Sequence, residues 1–135
     1  RWSDIYQERV WSKMTVEGDL QVSIAPDSTP LPHGLVASRL RDMARYGMLY
    51  TPSWHKAARE RIVSQAYVRQ IQEGGRKEIF LRGEIGNHLT TAFFPASPPS
   101  ANHWQWDAVW PDGDFYKGGV WGQGLYVSPA REARP

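Results

Sequence analysis

The chain has 135 residues, of which 41% are hydrophobic and 22% are charged, and its formal net charge is +2 at pH 7. This balance excludes an intrinsically disordered protein, predicts a single domain over residues 1–135, and permits an anionic partner without requiring one. The absence of cysteine excludes disulfides, thiolate metal sites and a cysteine nucleophile, and no apolar run is long enough for a membrane span.

The first 25 residues combine a helix signal with a strand signal. Residues 1–14 have the composition to begin as a short helix. Apolar and polar residues then alternate on both sides of a turn at residues 17–19, which predicts a β-hairpin over residues 10–25. Whether residues 8–14 form helix or strand stays open at this point.

Prolines separate this hairpin from the helical middle of the chain. Three prolines within residues 25–32 predict a loop, because proline lacks the backbone donor that a helix or central strand needs. Residues 35–46 have the apolar spacing of an amphipathic helix, which Gly47 is suited to end. Ser53 is a natural N-cap for a further helix over residues 54–61.

The central stretch is predicted to change from helix to sheet. Ser64 predicts the start of a helix over residues 65–73, and the glycine pair that follows ends it. The next runs alternate in polarity and predict a second β-hairpin over residues 76–94. We expect this hairpin to pack against the helix over residues 54–61. The apolar side chains expected in their shared core include Ile71, Ile79, Leu81 and Phe93.

The C-terminal part is rich first in proline and then in tryptophan. Residues 95–102 predict a connector, and residues 103–127 predict antiparallel strands that extend the same sheet. The first of these strands is predicted over residues 103–110, and proline and glycine predict a turn at residues 111–113. The order of elements indicates an α+β fold, with two or three helices packed on a twisted antiparallel sheet. At least half of the tryptophans in 103–127 are expected to be buried, because burying a large aromatic side chain is worth on the order of 2–3 kcal/mol.

The four histidines stand at positions 33, 55, 88 and 103, without the spacing of a metal-binding motif. The sequence therefore predicts no metal site and no cofactor. A basic, glycine-rich run at residues 74–77 lacks the pattern of a phosphate-binding loop.

Basic residues cluster around the histidine at position 55. His55 and Arg59 are four residues apart and share a face of the predicted helix, and Lys77 and Thr91 follow on the predicted hairpin. Metal-free RNA cleavage needs a base for the ribose 2′-OH, a cation for the phosphorane and an acid for the leaving oxygen. The pattern fits either such a site or an ordinary solvated helix face. Further candidates for contact with the substrate are Lys56, Arg61, Arg76, Arg82 and His88.

This region resembles bacterial ribonuclease toxin domains of the barnase, EndoU, colicin and RelE-like group. The runs that carry the resemblance are HKAARERIVSQAYVRQI, GGRKEIFLRG and HLTTAFFP. In several such families a His-x-x-x-Arg helix precedes a hairpin that ends in a similar Thr-Ala-aromatic-Pro signature. The resemblance implies that His55 is the acid–base group, that Arg59 and Lys77 bind phosphate, and that Thr91 donates its hydroxyl to the scissile phosphate.

The resemblance also implies a function and its setting. The chain would be a toxin or effector domain, a metal-independent endoribonuclease that cleaves RNA by 2′-OH attack. The implied partners are RNA, with tRNA as one candidate, and a cognate immunity protein. The implied route is secretion or delivery into the cytoplasm of a target cell.

Two other classes of function compete with this one. His33-Gly34 and the run GLYVSP at residues 124–129 are similar to elements that clamp NAD in diphtheria-type ADP-ribosyltransferases. In the third interpretation, residues 103–127 form a non-catalytic module that binds protein or nucleic acid through exposed aromatic rings. The tryptophans that would serve as stacking platforms are Trp104, Trp106, Trp110 and Trp121.

Overall fold

The computed structural model of the chain describes three ranges, residues 1–34, 36–119 and 122–131. Within them lie five α-helices and two antiparallel sheets, one of two strands and one of four. The α+β fold class predicted from the sequence is therefore confirmed. The chain divides into two compact units, a first unit over Arg1–Ile62 and a second unit over Val63–Pro135.

The first unit is built from short elements. Its helical segments are α1 (Trp2–Arg9), a 3₁₀ turn (Trp11–Lys13), α2 (Leu40–Met48) and a 3₁₀ helix (Pro52–Lys56). Its strands β1 (Gln21–Val22) and β2 (Val36–Ala37) pair antiparallel. The larger side chains that it buries are Trp11, Met14, Asp42, Leu49 and Tyr50. Because the two strands are so short, this unit consists mainly of helical segments and loops.

The predicted hairpin over residues 10–25 is wrong, because its two halves pair elsewhere. The first half contains the 3₁₀ turn, and β1 in the second half pairs with β2. The bend between the halves is present. Its backbone N–H groups, at Glu17 and Gly18, donate to the carboxylate of Asp42 at 2.9 and 3.1 Å. A carboxylate on α2 therefore holds this bend in place of a strand partner.

The helix predicted over residues 35–46 corresponds to α2, which begins later and ends later. Residues 36 and 37 are extended because they pair with β1, so the helix begins only at Leu40. Residue 35 lies outside the described residues. Gly47 is buried within the helix rather than ending it, and the chain leaves the helix after Met48.

The helix predicted over residues 54–61 is also replaced by a shorter element. The 3₁₀ helix is capped by Thr51 rather than Ser53, since the Thr51 hydroxyl accepts a hydrogen bond from the Ser53 N–H at 3.2 Å. The chain then becomes extended, because Ala58 forms an antiparallel bridge with Met14. Pairing with a distant segment therefore overrides the local helix signal.

Helix α3 (Gln65–Glu73) opens the second unit and agrees with the prediction. The Ser64 hydroxyl accepts a hydrogen bond from the Tyr67 N–H at 3.1 Å, which is the N-cap expected from the sequence. Ile71 faces inward and is fully buried. The helix ends at Gly74, and Gly75 follows with a φ of +87°, a conformation that glycine adopts at no steric cost.

The predicted β-hairpin over residues 76–94 is wrong, because this stretch is helical. It forms α4 (Lys77–Arg82), α5 (Glu84–His88) and a π-helical turn (Leu89–Phe93). Gly86 allows α4 and α5 to meet, since a Cβ at this position would lie 1.9 Å from the carbonyl oxygen of Phe80.

The same stretch contains three residues that were wrongly predicted to lie in the core. Phe80 and Leu89 are buried, and they join Ala108 and Trp110 in one apolar cluster. The strand prediction placed alternate residues on one face, whereas a helix turns each successive residue by about 100°. Side chains predicted to be buried therefore lie at the surface, namely Ile79, Leu81 and Phe93.

The second unit contains the four-stranded sheet. Its strands, in sheet order, are β3 (Ala101–His103), β4 (Trp106–Val109), β5 (Phe115–Gly118) and β6 (Gly124–Val127), each antiparallel to the next. The run predicted as one strand over residues 103–110 is divided by a two-residue turn at Trp104 and Gln105. The predicted Pro111–Gly113 turn is present, with a φ of +88° at Gly113.

Helices pack on this sheet, as the predicted architecture requires. Phe94 follows the π-helical turn, and its ring meets those of Trp110 at 5.1 Å and Tyr116 at 5.3 Å. Trp106 meets Phe115 edge-on at 4.5 Å. The prediction that at least half of the tryptophans in residues 103–127 are buried is confirmed by Trp106 and Trp110. Trp121 lies outside the described residues. The sheet does not extend a hairpin over residues 76–94, because that stretch is helical.

Candidate functional site

The predicted acid–base residue lies in an exposed basic segment of the first unit. We define the basic segment as residues 55–61. His55 and Lys56 end the 3₁₀ helix, Arg59 lies in the bend that follows, Arg61 comes two residues later, and all four side chains are exposed. The ring of the preceding Trp54 meets the His55 imidazole edge-on at 6.1 Å and carries the Arg61 guanidinium at 5.0 Å from its centroid. The segment therefore brings one imidazole and three cations together.

Backbone hydrogen bonds fix the basic segment in position. The Thr15 N–H donates to the Ala57 carbonyl at 2.9 Å, and the Arg59 N–H donates to the Lys13 carbonyl at 3.0 Å. The ammonium of Lys13 also forms an ion pair with Glu60. The only carboxylate within residues 55–61 is thus paired with a cation outside the segment, which leaves the segment electropositive.

The other predicted site residues belong to the second unit. Arg76 immediately precedes α4, Lys77 is the first residue of that helix and Arg82 is its last, and all three are exposed. The structure thus brings these three cations to one short helix. His55 and Arg59 of the proposed catalytic set belong to the first unit.

The remaining two candidates follow α4. His88 ends α5 and meets the Phe93 ring edge-on at 5.1 Å. Thr91 lies in the π-helical turn, and its hydroxyl donates to the Asn87 carbonyl at 2.8 Å. A role for Thr91 as a donor to phosphate therefore requires its hydroxyl to leave this hydrogen bond.

The first unit contains an aromatic pocket, which the sequence did not indicate. We define the aromatic pocket by the side chains that α1, the 3₁₀ turn and α2 contribute to its lining, which is completed by Leu20, Pro32, Val36 and Ser38. Its volume is about 240 Å³. The spacing of Trp2 and Tyr6, four residues apart on one helix face, is the signal from which it could have been inferred. The defining residues are Trp2, Tyr6, Trp11, Asp42, Met43 and Tyr46.

Ring contacts order the walls of the aromatic pocket. Trp2 and Tyr6 stack with their centroids 5.0 Å apart and their planes 17° from parallel, and Tyr6 meets Trp11 at 6.4 Å. The Trp11 indole N–H donates to the Gly18 carbonyl at 3.1 Å, which fixes that ring. Burial raises the pKa of Tyr6, and the nearby Tyr46 adds to the rise, so the Tyr6 hydroxyl stays protonated and can donate.

The carboxylate of Asp42 at the pocket is already fully engaged. Burial acts to raise the pKa of Asp42, but hydrogen bonds from Glu17, Arg45 and Gly18 outweigh it and hold the pKa below its usual value. Arg45 donates to Asp42 at 2.8 Å and to the Glu17 carboxylate at 2.6 Å. The ionised carboxylate therefore ties α2 to the bend at residues 17–18.

The Trp-rich segment of the second unit exposes one of its described tryptophans. Trp104 lies on the turn between β3 and β4 with a φ of +48° and is 52% exposed. Its ring meets Tyr67 at 5.9 Å and His103 at 5.4 Å, and the His103 Nδ1 lies 2.6 Å from the Gln70 carbonyl. A left-handed conformation at a bulky residue is unusual and is often associated with a functional position.

The elements similar to ADP-ribosyltransferases fall in separate units. His33 and Gly34 lie in an exposed loop of the first unit. Tyr126 lies on β6 of the second unit, where its hydroxyl donates to the buried Asp114. The guanidinium of Arg131 also lies 3.5 Å from that carboxylate.

Among the described residues, His, Asp and Glu side chains form no group of three or more that could hold a metal ion. In the same residues, no helix is both long and apolar enough to cross a membrane. Neither a protein-family model nor a curated protein matches the sequence.

Proposed function

We propose that the chain is a metal-independent endoribonuclease and that His55 is its acid–base group. The observation that carries the proposal is the exposed imidazole of His55 among the cations of the basic segment. Backbone hydrogen bonds to Lys13 and Thr15 hold the backbone of this segment in place, so the groups are not carried on a free loop.

The chemistry needs one proton carrier and positive charge. Neutral imidazole takes the proton of the ribose 2′-OH, and the oxygen attacks the adjacent phosphorus. A new bond from O2′ to phosphorus forms and the bond to O5′ breaks, so that the leaving oxygen takes a proton from the imidazolium. The products are a 2′,3′-cyclic phosphate and a free 5′-OH. An imidazole suits both transfers, because histidine side chains ordinarily titrate near neutral pH.

The cations of the basic segment would stabilise the phosphorane. Arg59 can offer two parallel N–H donors to phosphate oxygens, whereas Lys56 acts as a point charge. The ring of Trp54 holds Arg61 alongside them. The role of a toxin or effector domain, with an immunity protein as partner, belongs to the same proposal and rests on the resemblance of residues 55–95 alone.

Incubation of the purified chain with total tRNA in EDTA tests the proposal. We expect cleavage products that end in 2′,3′-cyclic phosphate. His55→Ala should lower the cleavage rate by about a hundredfold or more, the usual contribution of one acid–base group. The matched control is His33→Ala, an exposed histidine of the same unit outside the basic segment. Equal rates for the two variants, or an inert wild-type protein, would refute the proposal.

A binding module is the second candidate function, and exposed Trp104 favours it. A solvent-exposed ring beside Tyr67 and His103 has the composition of a platform for base stacking. The burial of Trp106 and Trp110 removes two of the four rings on which this candidate relied. Labelled NAD in a parallel reaction tests the ADP-ribosyltransferase class, because an ADP-ribosyltransferase transfers label without cutting RNA. Inertness in both reactions would favour the binding module.

A further inference from the structure

We propose that the aromatic pocket of the first unit binds one nucleobase of a single-stranded RNA, while the basic segment contacts the adjoining phosphates. The inference rests on the proposed function and specifies the form of its substrate. A base can enter such a pocket only when it is unpaired, so the preferred substrate would be a loop or another single-stranded region.

The size of the aromatic pocket suits one base. Its volume is about 240 Å³. A cavity of about 150 Å³ is enough to hold benzene. Pockets for drug-sized ligands span about 300–1,000 Å³. The aromatic pocket therefore accommodates a ring system of one or two rings, and the sugar and phosphate of a nucleotide would remain outside.

The walls of the aromatic pocket suit a flat ring. The stack of Trp2 on Tyr6 has nearly parallel planes, and a base placed against it would continue the stack. Stacking tolerates any base, because every base has a π face. Tyr6, which lines the pocket, also carries a hydroxyl, a donor group that ring nitrogens and carbonyl oxygens of bases can accept.

Charge at the aromatic pocket favours a neutral ligand over an organic cation. Asp42 is the carboxylate among the residues that define the pocket, and its oxygens already accept hydrogen bonds from Glu17, Gly18 and Arg45. It is also fully buried. A cationic ligand would therefore find the negative charge already compensated, whereas an uncharged base needs no counter-ion.

The aromatic pocket and the basic segment are connected through the same short stretch of chain. Trp11 of the pocket lies two residues before Lys13, a backbone span of at most about 7 Å. Lys13 in turn accepts the backbone hydrogen bond of Arg59. The proposal therefore places the phosphate of such a nucleotide along this stretch, on the side of the chain that positions the cations and His55.

Calorimetric titration of the full chain with adenosine, guanosine, cytidine and uridine tests the inference, with ribose as the non-aromatic control. We expect saturable binding of at least one nucleoside and none of ribose. Trp2→Ala should weaken that binding by about tenfold, in the range expected for loss of one base–aromatic stack. The matched control is Ile5→Ala on the same helix, because Ile5 is 62% exposed and does not line the pocket.

A second variant fills the pocket instead of opening it. Met43→Trp places a large ring at a partly exposed wall and should also weaken nucleoside binding about tenfold. Circular dichroism should show that both variants keep the wild-type helix content. Wild-type protein that binds none of the four nucleosides would overturn the inference. So would equal affinities for Trp2→Ala and Ile5→Ala.

The inference and the proposed function fail separately. If the wild-type protein binds nucleosides through Trp2 but leaves RNA intact, the ribonuclease proposal is wrong and the inference about the aromatic pocket is retained. If the protein cuts RNA and Trp2→Ala keeps the wild-type KM, the pocket inference falls and the ribonuclease proposal stands.

Discussion

Aromatic residues serve different purposes in the two units. In the second unit, Trp106 is buried beside Phe115, and Trp110 is buried in the apolar cluster that includes Phe80 and Leu89. In the first unit, Trp2 and Tyr6 line a cavity and remain partly accessible. Aromatic content alone therefore does not distinguish a binding surface from a core. The packing around each ring makes this distinction, and it favours the first unit over the Trp-rich segment as the region that binds a ligand.

The two units also differ in how they are held together. The second unit has a four-stranded ladder with apolar side chains packed on it. The first unit has a two-residue strand pair, and the charged hydrogen bonds of Asp42 connect its helix α2 to the bend at residues 17–18. The stability of the first unit should therefore depend more on charge, and that of the second unit more on packing.

The largest expected effect tests packing in the second unit. Trp106→Ala should lower the free energy of unfolding by about 3–5 kcal/mol, because it empties a site against Phe115. Trp104→Ala, two residues away on the exposed turn, should cost less than about 1 kcal/mol. Urea unfolding followed by circular dichroism measures both. Equal losses for the pair would mean that the Trp-rich segment does not have the described packing.

A smaller effect tests the charge dependence of the first unit. Asp42→Asn retains one of the two carboxylate oxygens, so one of the backbone donors at Glu17 and Gly18 loses its partner. We expect the Tm to fall by on the order of 5 °C at pH 7. Asp19→Asn, which changes an exposed carboxylate of the same unit, should leave the Tm nearly unchanged.

The effect of Asp42→Asn on the Tm should depend on pH. The folded-state pKa of Asp42 lies below its unfolded value of about 3.9. The stability that the ionised carboxylate contributes is therefore complete above about pH 3.9 and is lost as the pH falls through the folded-state pKa. The difference in Tm between wild type and Asp42→Asn should therefore shrink below about pH 4. A difference that stayed constant from pH 7 to pH 2 would contradict the assigned role of the carboxylate.

The smallest effect concerns a polar contact of the second unit. Burial and the hydrogen bond to Asp114 raise the pKa of Tyr126 to about 12. The stability that the protonated Tyr126 hydroxyl contributes is therefore complete below the usual tyrosine pKa of about 10 and is lost as the pH rises toward 12. Because the side chain is 45% exposed, Tyr126→Phe should cost at most about 1 kcal/mol at pH 7. Urea midpoints should show this difference narrowing between pH 10 and 12, and a constant difference would contradict it.

Local signals in the sequence determined several elements of the protein. Helix α3 has its cap at Ser64, one buried apolar face and a glycine pair at its end, and each of these acts within one or two helical turns. The Pro111–Gly113 turn likewise depends on the φ preferences of its own residues. The same kind of signal placed α2 approximately, and the order of helices and strands was enough to predict the α+β class.

Tertiary structure decided the elements in which local signals are ambiguous or outweighed. Residues 76–94 alternate like a strand, yet they are helical because Phe80 and Leu89 complete a core with residues distant in sequence. Met14 and Ala58 bridge across more than forty residues and interrupt a predicted helix. For the candidate sites, the sequence identified the basic segment through the spacing of His55 and Arg59. The aromatic pocket arises from side chains of separate segments, and only folding brings such segments together, because burial and long-range pairing depend on the whole chain.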